Sequence, residues 1–220
     1  MNRSCKQPIV LIGGGGHAAV LAEILLMQNR EIVAVISPEA IHERAIFKGM
    51  VHLKEDSDVF TFDKGQVKLV NGIGMLPKCT LRKKVNERYL QLGYQFESVI
   101  ADSAYVSPSA LIEEGVQVLP MAIVHTGAII GSHSIVNTGA LVEHDCKVGC
   151  YNHIAPKATL CGQVETEQDV YIGASSVLTQ NMKVGNTSVI GAGAIVTKTL
   201  KPCSIFYPAK GTLKQQEHGL

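Results

Sequence analysis

Residues 99–200 repeat a six-residue pattern without a slip in register, from Val99-Ile-Ala-Asp-Ser-Ala104 to Ile195-Val-Thr-Lys-Thr-Leu200. The second position of each block is aliphatic, as at Ile100, Val118, Val142, Ile154 and Val196, with Thr166 as the one exception. The sixth position is mostly small, as at Ala104, Ala122, Ala140 and Ala158, and glycine recurs just after the aliphatic residue at Gly131, Gly149, Gly173, Gly185 and Gly191. This period predicts one short strand per block, turned at its end by a small or glycine residue, with three blocks closing a triangular coil. Coils stacked roughly 4.8 Å apart convert the aliphatic column into an interior rod that no single coil could bury. A β-sandwich would instead space its strands unevenly and let the register drift.

Ahead of the repeat, Ile9-Val-Leu-Ile12 predicts a buried strand, Gly13-Gly-Gly-Gly16 a loop leading to His17, and 18–27 a helix with apolar periodicity. Strands are expected at 31–36 and 67–70, the latter running into Asn71-Gly-Ile-Gly74, and an amphipathic helix at 81–92 carries Arg82, Lys83 and Lys84. The chain thus divides into a small α/β unit of Rossmann-like pattern at 1–98, a parallel β-helix at 99–200, and a C-terminal cap and tail at 201–220. Tyr207-Pro-Ala-Lys210 is expected to protect the open coil edge.

The glycine loop adds chemistry to this outline. Between a strand and a helix it lets a ligand approach the backbone, and the helix N-terminus favours phosphate oxygens. The second strand ends at Ser37-Pro38, where dinucleotide folds place an acid for a ribose hydroxyl, which argues against a full NAD domain. Among the basic residues of the second helix, Arg82 is the one expected to reach a ligand. A net charge of +1 argues against nucleic acid or an anionic membrane as main partner. No targeting signal or membrane span is readable, and six cysteines without a Cys-x-x-Cys pair suggest reduced thiols in the cytoplasm.

His125, His133, His144 and His153 crowd the middle of the repeat and are expected to point outward, with Glu143 one coil above His125. His144 is flanked by Glu143 and Asp145, and a histidine with a carboxylate at its side has the ingredients of a general base. Zinc held by three histidines is the rival, but the separations of 8, 11 and 9 residues fit such a site poorly, so no metal is expected. Cys146 falls at an inward position and is expected to be structural.

The glycine loop with His17, Leu81-Arg-Lys-Lys84, Val106-Ser-Pro-Ser-Ala110, Asn137-Thr-Gly-Ala140, Glu143-His-Asp-Cys146, His153-Ile-Ala-Pro156 and Pro208-Ala-Lys210 occur in that order. Together they resemble the sialic acid O-acetyltransferase and nucleotide-4-amino-sugar N-acetyltransferase family of hexapeptide-repeat enzymes. The resemblance implies a left-handed β-helix, a homotrimer, acetyl-CoA as cosubstrate in a groove between adjacent helices, and a nucleotide-linked amino sugar held by the N-terminal unit. It implies His144 as general base with Asp145 orienting it, Asn137 and His153 near the thioester, and Gly162, Gly173 and Ala192 along the coenzyme groove. Gly13, Gly14, Gly15, Gly16 and His17 would face the diphosphate, with Ser37, Gly72, Gly74 and Arg82 on the nucleotide side. The implied reaction is direct acetyl transfer to the 4-amine of a nucleotide-linked 4-amino-4,6-dideoxy sugar for surface glycans. O-acetylation of sialic acid or a related sugar, a zinc hydratase and a non-catalytic nucleotide-sugar-binding protein are the alternatives, and Ser37-Pro38 leaves the nucleotide base unassigned.

Overall fold

A computed structural model of the chain describes residues 6–209 and 211, so Cys5, Lys210 and the tail beyond 211 lie outside the described residues. The N-terminal unit is a four-stranded parallel sheet of order β3-β2-β1-β4, built from β1 (Ile9–Ile12), β2 (Ile32–Ile36), β3 (His52–Leu53) and β4 (Lys68–Asn71). Two helices accompany it, α1 (Gly16–Met27) and α2 (Leu81–Gln91). The strand β3 has only two residues, too few for an alternating pattern to announce it. The helix α1 begins at Gly16, which places Gly16 and His17 in its first turn rather than in the loop.

The repeat forms a left-handed parallel β-helix of three sheets. Partners are eighteen residues apart throughout the block, as where Leu141 pairs with Ile123 below and Thr159 above. The turns differ from the sequence expectation. From Gly115 to Gly193 they are made at the fifth position of each block, which holds positive φ even in Met121, His133, Asp145, Tyr151, Gln163 and Asn181. Left-handed backbone costs such residues roughly 1–2 kcal/mol, offset here by ladder bonds to the coil below, such as Asp145 N to Thr126 O at 3.0 Å. Glycines after the aliphatic position serve a different purpose: a side chain at Gly131 or Gly149 would strike the main chain of the next coil.

Thr166 is buried in the aliphatic column, where its hydroxyl accepts from Asn152 Nδ2 at 2.6 Å. The helix continues past Leu200, because Ile205–Phe206 pairs parallel with Val189–Ile190, sixteen residues back instead of eighteen. A shortened coil therefore occupies the start of the segment expected to be only a cap.

The three faces of the prism have different outward-facing columns. One carries Leu111, Ile129, Lys147, Glu165 and Lys183, with Glu165 bonded to both lysines. A second carries Tyr105, Ile123, Leu141, Thr159, Val177 and Ile195, without a charge. The third carries Val99, Gln117, Ile135, His153, Tyr171 and Val189, and the N-terminal unit docks on it. There Leu21 and Leu25 of α1 share a core with Val99, Leu119 and Ile135, and Arg30 pairs with Glu97 at 2.6 Å.

Candidate active site

His144 and Asp145 occupy the corner where the chain leaves the uncharged face for the charged one. His144 Nδ1 lies 2.9 Å from Asp145 Oδ2. A carboxylate only accepts, so Nδ1 carries the proton and Nε2 keeps its lone pair. Nε2 has no hydrogen bond among the described residues, and the ring is half-exposed. Glu143 reaches 4.0 Å from His125 in the coil below, as the eighteen-residue spacing predicted. Gly162, expected along a coenzyme groove, lies one coil above with its α-carbon against the His144 imidazole.

His133 and His153 do not point into solvent. They face the N-terminal unit and are 5% and 6% exposed, because docking covers the face on which they stand. His153 Nε2 lies 3.1 Å from Asn137 Nδ2, and Thr138 N donates to Asn137 Oδ1, which turns the Asn137 amide so that its nitrogen donates to the ring. The His153 proton therefore sits on Nδ1, with no partner in hydrogen-bond geometry and the Met75 main chain nearby. Burial first, then the charges of His17 and Arg82, push its pKa down to about 3, so it acts as a neutral imidazole.

At the same seam His17 Nε2 donates to Gln117 Oε1 at 2.7 Å, and Gln117 Nε2 donates to Asn71 O at 2.7 Å. Burial and then Arg82 lower His17 to about 4, and His133, stacked on Tyr151, falls to about 4 for the same two reasons. Arg82 is not on a solvated helix face. It is buried, and its Nη1 donates to Asn71 O and Ile73 O, holding the Asn71–Gly74 loop, while Nε and Nη2 lack partners. Gln117 escaped sequence reasoning; its one signal is a polar residue in an outward column that is otherwise mostly apolar.

The nucleotide-side residues separate into open and packed positions. Gly13 has φ +92° and donates to Ile36 O, which only glycine accepts comfortably. Gly14 is packed against Ile41 and the buried Ser37, and a side chain on Gly72 would lie 2.5 Å from Ala18 Cβ, so these two shape the loops rather than open them. Gly15 is open, Gly16 faces Arg44 Nη2, and Gly74 lies over His17. The N-cap of α1 is Gly15, without a side-chain cap and without an acid in the first turn, which leaves its N–H groups available to an anion. Gly173 and Ala192 stack on each other, the α-carbon of the first against the main chain of the second, at the opposite end of the uncharged face from His144.

Between α2 and the β-helix lies a cavity of about 460 Å³, walled by Met75, Tyr151, Tyr171 and Ile205 and bordered by the Lys83–Asp169 ion pair at 2.7 Å. The loop after Gly74, with Lys78, Cys79 and Thr80, forms its rim. No group of three histidine, cysteine or acidic side chains converges as a metal site among the described residues.

The two polar groups are on opposite sides of one prism. His144 stands at the corner opposite the docked face, with Val136, Val142 and Ile154 of the buried rod between. The buried rod therefore stands between His144 and His153 within one chain.

Residues 8–89 match the PglD N-terminal domain. The chain is similar to PerB from Caulobacter crescentus, solved with CoA and GDP-perosamine, at 27% identity over 92% of this chain and 94% of that one, with a TM-score of 0.82. It is similar to the acetyltransferase domain of PglB from Neisseria gonorrhoeae, solved with acetyl coenzyme A, at 27% identity over 94% and 99%, with a TM-score of 0.82. WeeI from Acinetobacter baumannii, at 21% identity over 90% and 95%, shares the fold with a TM-score of 0.78.

Proposed function

We propose that this chain, which carries a PglD N-terminal domain on the fold of the PglD-like nucleotide-sugar acetyltransferases, moves acetyl from acetyl-CoA to the 4-amine of a nucleotide-linked 4-amino-4,6-dideoxy sugar. The observation that carries the reading is the His144–Asp145 pair, with Nδ1 bonded to the carboxylate and Nε2 open at an exposed corner. The sugar nitrogen attacks the thioester carbonyl carbon, a C–N bond forms, the C–S bond breaks, and CoA departs as thiolate. His144 Nε2 takes the proton that the nitrogen loses, and Asp145 stabilises the imidazolium. The transfer is direct and calls on no cysteine; burial pushes the inward Cys146 thiol up to about 11.

The glycine loop and the α1 N-terminus hold the diphosphate, with Arg44 at its edge. The acetyl oxygen is met by main-chain N–H groups and by the Asn137–His153 pair of a second copy. That arrangement follows from the separation of His144 from the docked face: the site is complete only when the corner of one copy meets the sugar-holding face of another. The uncharged column Tyr105, Ile123, Leu141, Thr159, Val177 and Ile195, with Tyr105 and Ile195 exposed, is the surface on which three copies would close. No described helix is long and apolar enough to cross a membrane, and Cys79, Cys146, Cys150, Cys161 and Cys203 are free thiols, in keeping with work in the cytoplasm on precursors of surface glycans.

The test is release of CoA thiol from acetyl-CoA with UDP-, GDP- and dTDP-linked 4-amino-4,6-dideoxy sugars in parallel and sialic acid as control. Release with one amino sugar is expected; release with sialic acid alone would assign O-acetylation instead. His144→Ala should lower turnover by about 10²–10⁴ while acetyl-CoA still binds, and unchanged turnover would remove His144 from the chemistry.

A further inference from the structure

We propose that Gly127 and Gly162 are positioning residues for the His144–Asp145 pair, an inference that rests on the role given to His144 above. Successive coils stack residues eighteen apart, so the corner presents two vertical columns. One reads Pro108, Thr126, His144, Gly162, Gln180 and Lys198; the other reads Ser109, Gly127, Asp145, Gln163, Asn181 and Thr199. Glycine occurs once in each column, directly above the imidazole in the first and directly below the carboxylate in the second.

The geometry shows what each omission permits. A β-carbon on Gly162 would lie 2.6 Å from His144 Nε2 and 2.7 Å from Cε1, on the atom that takes the proton. A β-carbon on Gly127 would collide with Asp145 Oδ1. Gly162 thus roofs the imidazole, and Gly127 floors the carboxylate. A side chain at either place forces the pair out of the plane in which Nδ1 meets Oδ2. Asp145 itself has φ +59°, so its side chain leaves the turn in a direction fixed by the left-handed backbone. The two glycines act only through this pair, and a displacement of about 1 Å is worth on the order of a hundredfold in rate.

The decisive variant is Gly162→Ala, because Gly162 lacks the positive φ that would strain alanine. Gly127 has φ +70°, so Gly127→Asn is the companion, asparagine being tolerant of left-handed backbone. The expected result is an unchanged melting temperature for Gly162→Ala, displaced His144 ring resonances with a moved titration midpoint by NMR, and about a hundredfold lower kcat at an acetyl-CoA KM within about threefold of the parent. Gly127→Asn should move the same His144 resonances. A raised acetyl-CoA KM with His144 resonances and titration unchanged would overturn the proposal and make Gly162 only a wall of the coenzyme groove. Should the parent enzyme release no thiol with any sugar, the function fails on its own evidence, while the His144 resonances of the two variants still decide whether the glycines seat the pair.

Discussion

Gly15 offers the cleanest separation of folding from binding at the scale of one residue. It is the N-cap of α1, no atom lies within 4 Å of where its β-carbon would be, and the first turn holds no acid. Gly15→Asp should leave the fold intact or raise its stability by a few tenths of a kcal/mol through capping, yet place a negative charge where the diphosphate is proposed to bind. Calorimetric titration with the nucleotide sugar should show affinity lost by tenfold or more, with acetyl-CoA binding unaltered; undiminished sugar affinity would take the diphosphate away from this loop. Residue-scale chemistry was readable where it is local. His144 and Asp145 are adjacent in the chain, so their hydrogen bond needed no knowledge of the fold. Gly127 and Gln117 were not readable, since their partners lie eighteen and a hundred residues away. Nothing in a helical pattern shows that the Arg82 guanidinium turns back onto the Asn71 and Ile73 carbonyls.

At the scale of elements, the seam between the N-terminal unit and the β-helix is sensitive to acid. Burial first, with Arg82 adding to it, holds His17 and His133 at about 4 and His153 at about 3, against 6.5 for an exposed histidine. Between those values the unfolded chain binds protons that the folded seam does not, so stability is full above pH 6.5 and declines as pH falls toward 4. Melting temperature should drop by about 5 °C or more between pH 7.5 and 5. His133→Phe, which keeps the stack on Tyr151 and the edge contact with Phe96, should flatten that slope; a slope identical to that of the parent would mean that His133 is not part of the acid response. The hexad register was legible because every block repeats it. Which face the N-terminal unit covers was not, since a column such as Val99, Gln117, Ile135 and His153 looks outward until another unit covers it. The shortened last coil also escaped, as Ile205–Phe206 falls two residues out of phase with the repeat.

At the scale of the whole molecule, the uncharged face and the divided site make the same demand. On the proposed reading a single chain carries the base on one side and the sugar-holding face on the other, which would make assembly part of the chemistry. Leu141→Glu, in the middle of the uncharged column, should yield monomers by light scattering and lose most turnover although His144 and Asp145 are untouched. The most direct measurement mixes two impaired variants, His144→Ala and Gly15→Asp, after unfolding and refolding them together, and assays them at sugar concentrations too low to saturate the weakened loop. If each site joins the corner of one copy to the glycine loop of the next, random trimers should recover roughly one quarter of the parental rate of thiol release. Recovery of none, with mixed trimers confirmed by mass, would place both halves of the site within one chain and contradict the account.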